Sequence, residues 1–386
     1  MVYDFDTIVP RWQTNSYKWD SAADERVLPM WVADMDFRTA PEIVEALQRR
    51  VAHGIFGYTH VPDAYYEAVQ DWFGRRHGWQ IARESILYTT GVVPALSALI
   101  KALTMPGERV LVQTPVYNCF FSSIRNNGCE VATSPLKRVG DTYEMNFEDL
   151  EKKAADERTR VMLLCNPHNP VGRAWREEEL RRLGEICLRH HVFVISDEIH
   201  GELVLPGYHY TPFASLGEAF ARHSATCVSP SKAFNLAGLQ IANIIVEDEV
   251  VRYRTDRAIN IHETCDVNPF GVEALIAAYR YGAPWLEALN AYLAENYQFM
   301  KAYVEEKLPL FPLARLEATY LVWMDCHVCG LSSDELETRL LQQEKLWLNA
   351  GSMYGEVDGC FLRWNIACPR QVLREGLERF VRFVRS

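Results

Sequence analysis

Between about residues 51 and 246, short apolar runs alternate with longer amphipathic ones, and no other feature of the chain narrows its fold so far. Helices packed on both faces of a largely parallel sheet leave this pattern, because strands buried on each side read as continuous apolar runs. The runs predict seven strands, at residues 86–90, 110–113, 130–133, 161–165, 192–197, 226–229 and 243–246. Between them, Ile43, Leu47 and Val51, or Leu180, Leu183 and Cys187, recur at the three-and-four spacing of a buried helix face. Pro41, and the Pro62-Asp63 pair, mark helix starts. After Asn268 the chain reads as mainly helical to about Lys307, then strand-like at 320–324 and 361–366. The expected fold class is α/β, with a mostly parallel seven-stranded sheet in a large domain and a smaller α/β domain. Residues 51–285 would form the large domain and 286–386 the small one, joined by the N-terminal segment 1–50.

Composition narrows the function classes. With 386 residues, 48% of them hydrophobic and 24% charged, the chain can bury a large core. A formal charge of -11, without a dense run of Lys and Arg, offers no footprint for nucleic acid. The first twenty residues carry Asp4, Asp6 and Asp20 and no secretory apolar run, and no later stretch is long enough for a membrane span, so a cytoplasmic protein is expected. Ten cysteines are scattered through core-like segments, as reduced thiols would be. Cys326 and Cys329 form a C-x-x-C, but no second pair completes a tetrahedral site, so no metal is expected.

In doubly wound sheets, ligands collect outside the carboxyl ends of the strands. Four strand endings there carry polar residues: Thr89-Thr90-Gly91-Val92-Val93, Asn166 through Gly172 (NPHNPVG), Ser196-Asp197-Glu198-Ile199-His200, and Ser229-Pro230-Ser231-Lys232. Taken singly, each has an ordinary explanation as a turn, a cap or a solvated loop. All four occur, in this order, each at the end of a predicted strand.

Together they resemble the fold-type-I family of pyridoxal-phosphate enzymes, the aspartate-aminotransferase-like group, and the resemblance covers nearly the whole chain. It implies pyridoxal 5'-phosphate as cofactor. A lysine amine can condense with the cofactor's aldehyde and, displaced by a substrate amine, becomes a base beside the substrate Cα; the resemblance gives that place to Lys232. Asp197 matches the carboxylate that faces the pyridine nitrogen and favours its protonated form. Asn169 matches the residue bonded to the ring oxygen, and Tyr117 the aromatic stacked on the ring. Gly91, Val92 and Val93 would offer amides to the phosphate at a helix start, with Ser229 and Ser231 adding hydroxyls. Tyr58 matches a tyrosine that reaches the neighbouring subunit's phosphate, which implies a homodimer with shared sites. Arg363 matches the arginine that grips the substrate α-carboxylate with its two-donor fork.

Finer motifs resemble the MalY/PatB-type cystathionine β-lyase branch of that family: Met30 through Phe37 (MWVADMDF), Asp197-Glu198-Ile199-His200, and Asn365 through Pro369 (NIACP). His200 stands where many aminotransferases have a tyrosine, and Gln240 where they often have a phosphate-binding arginine. The branch implies cleavage of cystathionine or related S-substituted L-cysteines to a thiol, pyruvate and ammonia. A thiol of pKa about 8.5 leaves far more readily than an alcohol. An aminotransferase, or a regulatory protein that retains the cofactor, are the alternatives. An NAD-dependent dehydrogenase is disfavoured, since no G-x-G-x-x-G follows the first strands.

Overall fold

The computed structural model describes residues 3–262, 266–355 and 359–386. All seven predicted runs are strands of one sheet: β1 (Ile86–Thr89), β2 (Arg109–Val112), β3 (Glu130–Thr133), β4 (Thr159–Cys165), β5 (Phe193–Asp197), β6 (Ser224–Val228) and β7 (Ala242–Val246). Their spatial order is β1-β7-β6-β5-β4-β2-β3. Neighbours from β6 to β3 run parallel, whereas β7 is antiparallel to both β6 and β1. Strands β1 to β6 therefore point the same way, and their carboxyl ends share one edge.

The central strands β5, β6 and β7 are buried at every residue, because helices cover both faces. One such helix, Val92–Leu103, buries Ala95, Leu96, Leu99 and Ile100 against the sheet. Another, Glu177–Arg189, buries Leu180, Leu183 and Cys187, the spacing seen in the sequence. Each fully buried Leu of this kind contributes roughly 1.5–3 kcal/mol.

Beyond the large sheet, Leu321–Asp325, Phe361–Asn365 and Asn349–Ala350 form a small antiparallel sheet. Helix Arg370–Arg385 covers it with Leu373, Leu377 and Phe380. The N-terminal segment joins this region through Leu28–Pro29, which pairs with Leu346–Trp347. Helix Pro41–His53 instead packs on helix Pro269–Tyr281.

Some boundaries differ from the sequence reading. Strand β6 starts at Ser224, because Ser224 pairs with Val194, and it ends before Ser229, which leaves the sheet to cap the next turn. The helical stretch after Asn268 breaks at Gly282, where a Cβ would lie 2.5 Å from Phe234. Cys326 and Cys329 flank a single 3-10 turn, neither is in a disulfide, and no metal-binding cluster occurs among the described residues. Also among them, no helix is long and apolar enough to cross a membrane.

Candidate active site

At the carboxyl edge of the sheet lies a cavity of about 460 Å³. Gly91, Val92, Val93, Tyr117, Asn169, Asp197, His200, Ser231, Lys232 and Arg363, ten of the residues picked out in the sequence, line it. The topology explains the convergence: β1, β2, β4, β5 and β6 each end here and release one of the four motifs or the Thr114-Pro115-Val116-Tyr117 turn.

Asp197 closes β5 between Cys165 on β4 and Cys227 on β6. Flanked by thiols and 3% exposed, its carboxylate accepts from the Ile199 amide at 3.2 Å and makes no ion pair among the described residues. Burial pushes its pKa up to about 7, against the lowering effects of that amide and of Lys232. A cation brought against it would lower it again, so the carboxylate fits a protonated ring nitrogen.

Lys232 sits in the short helix Pro230–Ala233, and its Nζ donates to the Ala33 carbonyl at 2.5 Å. Burial, then the nearby Arg363 guanidinium, hold its pKa down at about 8, although Asp34 and Asp197 pull the other way. Arg363, in strand Phe361–Asn365, is 3% exposed and donates to Asn169 Oδ1 at 3.0 Å and to the Trp31 carbonyl at 2.7 Å. Its Nε is buried without a partner, an unused donor that suits a bound carboxylate. Because Asn169 spends its oxygen on Arg363, its amide NH2 remains for a ligand. His200 is buried against Tyr320, and burial, then Lys232 and Arg363, hold it well below the usual histidine range. It is therefore neutral. Tyr117 is pushed above the usual tyrosine range by burial, then by Cys119.

Helix Val92–Leu103 has no capping side chain, so its first amides are left for an anion. Ser231 faces the cavity, but Ser229 does not line it. The Ser229 hydroxyl accepts from the Ser231 amide at 3.0 Å and contacts the Ile241 carbonyl at 2.6 Å, capping the lysine helix. Gln240 is exposed and off the cavity wall. Tyr58 is 95% exposed and does not line the cavity.

Sequence reasoning missed what the loop 31–37 does. Its carbonyls are taken in turn: Trp31 by Arg363 and Asn349, Val32 and Asp34 by Asn365, Ala33 by Lys232 and Tyr320, Met35 and Phe37 by Asn235. Behind it, Lys18, only 1% exposed, bonds Asp36 at 2.8 Å, and Arg11 bonds Asp34 and Asp36 at 2.9 Å. The only signal was the Met30 to Phe37 motif itself, whose partners are scattered over the whole chain.

A buried lysine facing a buried carboxylate, beside uncapped helix amides and an arginine short of a carboxylate, defines an aldehyde-cofactor site in an aspartate-aminotransferase-like fold. The profile of the class I and II aminotransferases matches residues 26–380, and the chain belongs to that family. It is 43% identical over 380 residues to cystathionine β-lyase PatB of Bacillus subtilis, covering 97% of this chain and 98% of that protein. Cystalysin from Treponema denticola, whose crystal structure contains pyridoxal 5'-phosphate, superposes with a TM-score of 0.96 at 32% identity, over 100% and 99% of the two chains. The pyridoxal-phosphate-bound C-S lyase of Staphylococcus hominis gives 0.92 at 32% identity, over 99% and 98%.

Proposed function

We propose that the protein is a pyridoxal 5'-phosphate-dependent carbon-sulfur β-lyase that, with one water, cleaves cystathionine or related S-substituted L-cysteines to a thiol, pyruvate and ammonia. The observation that carries this reading is the convergence of Lys232, Asp197, Asn169 and Arg363 on one cavity, in a chain whose relatives are named as lyases of this kind.

When bound, the cofactor supplies the electron sink that lets a Cα-H bond break heterolytically. Lys232 would hold the cofactor's aldehyde carbon, and its Nζ would take the Cα proton of the substrate. With a pKa of about 8, the neutral amine is abundant at mildly alkaline pH. Asp197 would pair with the ring nitrogen, the Asn169 amide with the ring oxygen, and Tyr117 with the ring face. Amides of Gly91, Val92 and Val93, with the Ser231 hydroxyl, would seat the phosphate, while Ser229 shapes that seat by capping the lysine helix. Neutral His200 would add an uncharged ring beside the cofactor. Arg363 would hold the substrate α-carboxylate, fixing the Cα-H bond toward Lys232.

The active unit is a homodimer in this reading, each Tyr58 reaching its neighbour's phosphate seat, and the chain works in the cytoplasm. Residues 51–285 form the cofactor domain, 286–386 the small domain, and 1–50 the segment that joins it.

The purified protein incubated with cystathionine or cystine should release pyruvate and a sulfur product in equal amounts. A keto acid formed only when an amino acceptor is supplied would instead identify an aminotransferase. A bound chromophore with no turnover of any amino acid would identify a regulator. Lys232→Ala should lose the visible absorbance and the activity together.

A further inference from the structure

Glu198, the residue after Asp197 at the end of β5, has no part in the roles above. It is 3% exposed within one protomer, and donors meet both of its oxygens. Oε1 accepts from the Ser196 hydroxyl at 2.7 Å, the Phe213 amide at 2.9 Å and the Asn166 side-chain amide at 3.2 Å, and Oε2 accepts from the Tyr210 hydroxyl. The Phe213 N-H and the Asn166 NH2 can only donate, so the cradle suits a carboxylate. Burial pushes Glu198 above the usual glutamate range, and the bonds from Tyr210, Phe213, Ser196 and Asn166 pull it back. All four donors are neutral, so they stabilise the charge without cancelling it. Tyr210 itself is held protonated by burial, and Glu202, which also acts on it, pairs with Arg76 and His77. Around Asp197, Cys165, Cys227 and Tyr117 are each pushed up by burial and stay uncharged. Burial raises Asp197 first, the Ile199 amide and Lys232 lower it, and Glu198 is the neighbouring charge that raises it.

We infer that Glu198 is a positioning residue that acts through Asp197: a fixed negative charge one residue along the chain, it holds the proton at the junction of Asp197 and the cofactor's ring nitrogen. The inference rests on the reading of the cavity as a pyridoxal-phosphate site, not on which bond is cleaved there. A like charge nearby disfavours ionisation of a carboxyl, and two negative charges favour a cation more than one does. The protonated ring is the better electron sink, so a charge that keeps the proton there serves the Cα-H cleavage.

Glu198→Gln removes the charge and keeps the cradle: the carboxamide oxygen takes the three donors of Oε1, and its NH2 meets Tyr210, whose hydroxyl turns to accept. In cofactor-free protein with labelled carboxyl carbons, NMR across pH follows Asp197, its signal assigned by loss in Asp197→Asn. The midpoint, about 7 in the native protein, should fall by roughly one pH unit in Glu198→Gln. In holoenzyme carrying labelled cofactor, the ring-nitrogen shift should show the proton leaving at a lower pH than in the native protein. Pyruvate release should lose about tenfold in kcat with KM little changed. Glu198→Asp, which keeps the charge and disturbs the cradle, should leave the Asp197 midpoint near its native value. A midpoint unmoved or raised in Glu198→Gln overturns the inference, as does an equal fall in Glu198→Asp. So does a native protein whose Glu198 carboxyl carbon has the shift of a neutral acid at neutral pH, a result that needs no variant to fold. Both titrations moving as expected, with no pyruvate from any cysteine conjugate, upholds the inference and sinks the lyase reading alone.

Discussion

The Arg363 guanidinium donates to the carboxamide oxygen of Asn169 at 3.0 Å. One bond thus joins the small antiparallel sheet to the turn that follows β4. It leaves the Asn169 NH2 free, so in the proposed roles substrate grip and cofactor grip would be coupled.

Arg363→Lys should therefore harm both functions. Lysine keeps the charge but not the planar fork, and a charged hydrogen bond is worth about 1.5–3 kcal/mol. We expect kcat/KM for cystathionine to fall by roughly ten- to a hundredfold, mainly through KM. The holoenzyme's visible band should shift as Asn169 is released, which steady-state kinetics and an absorbance spectrum together would check. An unchanged spectrum would uncouple the two residues.

The Lys232 amine should titrate far below an ordinary lysine. The neutral form attacks an aldehyde, so the rate at which cofactor-free protein takes up pyridoxal phosphate should rise with pH, with a midpoint near 8. Arg363→Ala removes a repelling cation and admits water, and both changes favour the protonated amine. The midpoint should then move upward, as stopped-flow absorbance across pH would show; a downward shift contradicts the electrostatic account.

Asp36→Ala should be costly for stability. It strips Lys18, 1% exposed, of its closest carboxylate, leaving Asp34 at 3.7 Å. Removing one member of a buried pair costs about 3–5 kcal/mol. The denaturant midpoint should drop accordingly, and residual folded protein should show weakened cofactor retention, because the loop 31–37 carries the carbonyl bonded to Lys232. A midpoint within error of the native protein would show that the cluster is dispensable.

Mixing inactive Tyr58→Ala and Lys232→Ala subunits tests the shared site. Random reassortment makes half the dimers mixed, each with one intact site of two, so about a quarter of native activity should return. Recovery of none after subunit exchange would place Tyr58 outside the neighbour's site.

Much of the fold was legible because buried parallel strands must be apolar throughout, and β4 and β5 announce themselves that way. The motif residues were legible for a related reason: polar residues such as Asp197 end apolar runs, and four such endings fall in order at the carboxyl edge of one sheet. What stayed hidden depends on distance along the chain. Nothing beside Lys18 in the sequence marks it as buried, and only the fold brings Asp36 and Asp34 around it. Asn235, which binds Met35 and Phe37, and Tyr320, which shares Ala33 with the lysine, carry no local signature either. Ser229 was misplaced toward the cavity because its sequence neighbours face there, whereas its hydroxyl serves the turn.

Two of the side chains that secure the carbonyls of the Met30 to Phe37 segment, Arg363 and Asn365, lie more than 330 residues along the chain from them. The carbonyls around Lys232 are thus fixed only once parts of the chain far apart in sequence have folded against one another.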